Sequence, residues 1–203
     1  TAFHYVHPRY ALGLSATPTR PDGMDALLHS YFGNKQVHRQ LNRAHTAYKV
    51  ETWKYVDVAL EVKTTNTGTL DWNSILNSQA ISEPRNKLIV HIIQMFPEHC
   101  FLILCKRVAH AKKLEKMLTD IDIDVTSLVG VKRSFDTNAR VLVATVQKAG
   151  VGFDHPKLNA LMIAADVEQY FIQYLGRVFR TEHGSPLIFD FVDDFRTLKK
   201  HFS

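Results

Sequence analysis

Apolar and polar positions change rhythm along this chain, and each change marks an expected element. Tyr10 to Leu14 is a short apolar run that reads as a buried strand. Ser15-Ala16-Thr17 follows, then a loop punctuated by Pro18, Pro21 and Gly23. Asp22 or Asp25 can cap a helix through Ala26, Leu27 and Leu28 to Tyr31 and Phe32, with Gly33 stopping it. Residues 46–63 alternate apolar and polar, the period-two pattern of a strand. Thr64 to Asp71 is polar, carries Asn66 and Gly68, and reads as a loop; residues 72–81 read as a short helix.

From Glu83 onward the pattern becomes alternating α/β. Pro84 opens a helix at Arg85-Asn86-Lys87, with Leu88, Ile89, Ile92, Ile93 and Phe96 at helical spacing. Phe101 to Cys105 is a buried strand and Val108 to Leu118 an amphipathic helix. Val125 to Val129, Val141 to Thr145 and Leu161 to Ala165 are further strands. Glu168 to Phe179 reads as a helix, Leu187 to Phe191 as a final strand, and Asp193 to Phe202 as a last helix. This alternation predicts an α/β fold, a parallel sheet with helices on both faces. Functional groups then belong at the carboxyl ends of the strands.

Composition narrows the class. The 203 residues suit one domain of ordinary size plus a smaller segment, and a 45% hydrophobic fraction is enough for a packed core. No apolar run approaches the ~18 residues of a membrane span, and TAFHYVHPRY lacks the charged-then-apolar order of a signal peptide. The formal charge of +5 suits a polyanion partner without requiring one. Its placement matters more: basic pairs fall at Lys106–Arg107, Lys112–Lys113 and Lys132–Arg133. Cys100 and Cys105, five apart on a strand, point to opposite faces and read as reduced thiols. The 11 histidines show no zinc-site spacing; His91, His99 and His110 read as helix or loop residues.

The densest chemistry lies in QYLGRVFR, Gln173 to Arg180. Arg177 and Arg180 share a helix face, and two guanidinium forks aimed together suit a phosphate. A solvated basic helix face is the plain alternative. Two other segments stand in order before it, LGLSATPTRPDG from Leu12 and VLVATVQKAGVGFDHPKLNALMIA from Val141. Thr145 ends a strand, where its hydroxyl and the following amides can hold a strand phosphate. Gly150 and Gly152 let backbone come close, and Asp154 on the plain reading caps the turn before Pro156.

Together these segments resemble motifs III, V and VI of superfamily 2 helicases, most closely the branch with transcription-repair, phage and large-DNA-virus helicases. Ser15-Ala16-Thr17 matches motif III, Thr145 with Gly152-Phe153-Asp154 matches motif V, and Gln173-x-x-Gly176-Arg177-x-x-Arg180 matches motif VI. The resemblance implies a RecA-like C-terminal lobe (residues 83–203), the end of a first lobe (1–40) and, between them, a linker or extra strand element (41–82). It implies Arg177, Arg180 and Gln173 as catalytic groups, with Arg180 reaching the γ-phosphate. Gly152 and Asp154 bind ATP, Thr145, Lys106, Arg107 and Gly130 contact nucleic acid, and Ser15 and Thr17 couple the two. The family's phosphate loop and Asp-Glu pair do not occur in the chain. The resemblance therefore implies a portion of a larger helicase, inactive alone. ATP and Mg2+ are bound mainly by an upstream lobe, and the partner is single- or double-stranded nucleic acid inside the cell, not a membrane. A non-unwinding translocase and a nucleic-acid-binding module without ATPase activity carry the same motifs. Residues 35–85 match none of them.

Overall fold

The computed structural model describes residues 9–14, 23–37, 44–150, 153, 155–165, 174 and 185–199. The chain forms two compact units, Thr1–Asn42 and Arg43–Ser203.

In the first unit, helix α1 runs Asp25–Phe32 and ends at Gly33, whose φ of +74° favours glycine. The expected side-chain cap is not made: the N-cap is Met24, and Asp25 instead places a carboxylate in the first turn, where the helix dipole favours it. Tyr10 to Leu14 is not a buried strand. Tyr10, Leu12 and Leu14 are all more than four-fifths exposed. A buried strand needs paired neighbours and a covering layer, and the described residues of this unit supply neither.

The second unit contains β1 (Thr46–Glu51), β2 (Lys63–Thr64), β3 (Leu70–Asp71), α2 (Trp72–Ile81), α3 (Glu83–Met95), β4 (Phe101–Cys105) and α4 (Val108–Thr119). After these come β5 (Val125–Leu128), β6 (Val141–Thr145), α5 (Val146–Gly150), β7 (Ala160–Ile163) and β8 (Leu187–Val192). Six strands form one sheet in the order β1-β8-β7-β4-β6-β5, and every pairing is parallel.

Alternate side chains of the central strands feed two cores. Phe101, Ile103, Val141, Val143 and Met162 pack with Ile89, Ile93, Leu114 and Leu118 from α3 and α4. Leu102, Leu104, Leu142, Leu161 and Ile163 pack on the other face with Leu158 and Tyr174. Burial on both faces explains why β4 and β6 are unbroken apolar runs.

Elsewhere the pattern overreached or fell short. Of the expected strand 46–63, Thr46–Glu51 forms β1 and Lys63 opens β2; at Thr52–Lys54 the chain turns out of the sheet, because Thr52 is buried against the end of β8. The expected loop at Thr64 to Asp71 is a tight hairpin of β2 and β3, closed by Gly68 at φ +77°. Each strand is two residues long, too short for alternation to register. Residues 193–199 turn instead of entering an α-helix, with Phe195 N–H bonding Asp193 O at 2.7 Å. Of the expected helix Glu168 to Phe179, only Tyr174 is described; it is helical, buried, and donates to Val146 O at 2.8 Å. Cys100 and Cys105 are both free thiols.

Candidate nucleic-acid interface

A parallel sheet sends every strand's carboxyl end to one edge. Thr145 ends β6 opposite Cys105, the last residue of β4, in direct register. On the other side of β6, Leu128 of β5 pairs with Ala144, and Gly130 follows two residues later. Strands in a sheet lie ~4.8 Å apart. Lys106, Arg107, Thr145 and Gly130 therefore gather at the ends of three adjacent strands.

Their environments differ. Thr145 is 5% exposed, seated at the strand end and not projecting from it. Lys106 is exposed, whereas Arg107 is the extended N-cap of α4 and only partly so. Arg107 Nη2 donates to Asn73 Oδ1 in the first turn of α2, and its Nε is buried with no hydrogen-bond partner among the described residues. Gly130 has φ +58°, and a Cβ there would meet nothing within 4 Å. It is the turn that asks for glycine, not a close neighbour. Around that turn Val131 and Arg133 are exposed, Lys132 Nζ bonds Ser127 Oγ at 2.9 Å, and Lys148 Nζ bonds Lys132 O at 3.2 Å. This end of the edge is basic.

The opposite end of the edge holds a buried polar cluster that the sequence did not announce. Asp193, just past β8, accepts from Arg85 Nε at 3.0 and 3.1 Å, Thr52 Oγ1 at 2.8 Å and Gln79 Nε2 at 2.6 Å. Arg85 sits in the first turn of α3, one helical turn before Ile89 on the core-facing side. That shared face was its available signal. Nearby, burial and then the charges of Arg85 and Lys113 push the His110 pKa down to about 3. A neutral ring can donate from Nε2 to Asn86 Oδ1, 2.8 Å away. Burial also pushes the Cys105 thiol up to about 12, so it stays protonated.

Ser15, Thr17, Gly152, Asp154, Gln173, Arg177 and Arg180 lie outside the described residues. Among the described residues no group of three or more His, Cys, Asp or Glu could hold a metal ion, and no helix is long and apolar enough to cross a membrane.

"Putative helicase 161L" of Invertebrate iridescent virus 6 is 43% identical over 219 residues, covering 98% of this chain and 49% of the viral protein. "Putative helicase 055L" of Frog virus 3 (isolate Goorha) is 37% identical over 201 residues, covering 97% of this chain and 45% of its own. The chain is thus similar to putative helicases of these two viruses. It spans about half the length of those two relatives. The fold agrees. The chain overlays T4 UvsW with a TM-score of 0.50 at 21% identity, covering 61% of this chain and 28% of that one. The C-terminal part of the Fun30 ATPase domain overlays with a TM-score of 0.51 at 13% identity, covering 64% and 49%. The six-stranded parallel sheet with its helices thus has the RecA-like fold found in helicase domains. No protein-family model matches this chain.

Proposed function

We propose that this chain is the part of an ATP-dependent helicase that grips a nucleic-acid strand and supplies arginine fingers to an ATP site completed by another lobe. The observation that carries this reading is the gathering of Lys106, Arg107, Thr145 and Gly130 at three adjacent strand ends, in a chain similar to viral putative helicases. Thr145 and the amides after it hold a strand phosphate, and Lys106 adds positive charge beside it. Arg107 serves the grip from its seat on Asn73.

ATP and Mg2+ are held mainly by a lobe that carries the phosphate loop and the Asp-Glu pair. ATP supplies the phosphoanhydride whose cleavage drives each cycle. Gly152 admits the nucleotide close to the backbone, and Asp154 accepts the ribose hydroxyls. Arg177 and Arg180 bring two permanent charges to the γ-phosphate, Gln173 serves as a polar relay, and each arginine lowers the barrier by about 3–7 kcal/mol. Ser15 and Thr17 relay lobe closure to the strand. Work on nucleic acid puts the protein inside the cell.

The test is ATP hydrolysis by a longer polypeptide joining this chain to its phosphate-loop lobe, with single-stranded RNA, single-stranded DNA and duplex DNA in turn. We expect one polymer to stimulate turnover and this chain alone to be inactive. Turnover indifferent to all three polymers would contradict the reading.

A further inference from the structure

The β2–β3 hairpin lies in the stretch that matches no helicase motif, yet its attachments tie it to the strand-binding edge. Ser74 Oγ accepts from Lys63 N–H at 3.1 Å and donates to Asp71 O at 2.8 Å, fastening both hairpin strands to the first turn of α2. The neighbouring Asn73 holds the Arg107 guanidinium. Arg107 stands two residues beyond Cys105, the partner of Thr145. The base of the hairpin is thereby linked through α2 to Arg107.

Its turn has a composition suited to that position. Residues 64–69, TTNTGT, are exposed throughout. Thr65 Oγ1 lies 2.8 Å from Thr67 Oγ1 and 2.7 Å from Thr69 Oγ1, so three hydroxyls converge. No carboxylate occurs between Glu61 and Asp71, and both of those are engaged. Glu61 pairs with Lys63 at 2.8 Å, and Asp71 Oδ1 accepts from Asn73 N–H at 3.0 Å. Hydroxyl protons turn about the C–O bond, so the cluster can exchange a mutual bond for one to a phosphate oxygen. Threonine hydroxyls commonly make such backbone-positioning contacts.

We propose that this hairpin is a second contact for the bound single strand, its threonine turn holding the sugar-phosphate backbone. The proposal rests on the grip described above and adds an element to it.

The test is a salt titration of binding between this chain and a labelled single-stranded oligonucleotide, run as DNA and as RNA and followed by fluorescence anisotropy. The triple variant Thr65→Ala/Thr67→Ala/Thr69→Ala removes neutral contacts only. We expect binding about 5- to 10-fold weaker, with the slope of log K against log salt unchanged. Thr67→Lys adds one phosphate contact, so the slope should steepen by about 0.7. Gln94→Lys, in the last turn of α3 at the far edge of the sheet, should leave it unchanged. The proposal is overturned if Thr67→Lys behaves like Gln94→Lys and the triple variant binds like the wild type, while Lys106→Ala still weakens binding. If Lys106→Ala and Thr145→Val also bind like the wild type, the grip itself fails and the hairpin contact with it.

Discussion

Arg85 Nε sits between the two carboxylate oxygens of Asp193, at 3.0 and 3.1 Å, and neither side chain has any exposed surface. The pair joins the start of α3 to the end of β8, and through Thr52 and Gln79 it also holds the end of β1 and helix α2. Arg85 lies over the Phe191 ring as well, 5.4 Å from its centroid.

Breaking such a pair leaves an uncompensated buried charge. Asp193→Asn and Arg85→Met should each cost about 3–5 kcal/mol in denaturant unfolding. The double variant Arg85→Met/Asp193→Leu should be more stable than either single one. A single variant within 1 kcal/mol of the wild type, roughly the size of one neutral hydrogen bond, would show that the pair contributes little.

His110 makes stability depend on pH. Its pKa falls from an ordinary 6.5 to about 3 in the folded chain. Between those values the unfolded chain binds the proton and the folded chain does not, so folding weakens as pH falls below about 6.5. The limiting slope is about 1.4 kcal/mol per pH unit. Above pH 6.5 the contribution is complete. Urea midpoints at pH 7 and 5.5 should separate for the wild type and converge for His110→Gln, whose amide can still donate to Asn86. Equal separation in both would remove His110 as the cause.

Gly130 is required by its backbone, not by space. Gly130→Ala should cost about 1–2 kcal/mol, the penalty for a side chain at φ +58°. Gly130→Asn should cost less, because asparagine tolerates the left-handed region. Thermal melts of the two variants decide this. A Gly130→Ala melt unchanged from the wild type would show that the turn imposes no backbone strain.

Legibility followed the range of the interactions. β6 and β4 were readable to the residue, since each is an unbroken apolar run with polar borders. Strand ends then placed Thr145, Lys106, Arg107 and Gly130 on one edge of the sheet, because parallel topology follows from the alternation; that β4, β6 and β5 stand side by side was not readable. The end of β1 was not readable. Thr52 turns the chain there by bonding Asp193, 141 residues away. Arg85 reads locally as one more polar residue opening a helix, and its partner is 108 residues distant. The hairpin was missed for the opposite reason: its strands are shorter than the period that reveals a strand.

The central claim is that this portion completes an ATP site shared with another lobe of the same polypeptide, with Arg180 as the finger. Its most direct measurement is single-turnover ATP hydrolysis by the two-lobe polypeptide, comparing wild type with Arg180→Ala at saturating nucleotide and nucleic acid. The account predicts a loss of about 10³–10⁵-fold in the hydrolysis rate with strand binding retained. A variant that hydrolyses ATP at the wild-type rate would contradict it.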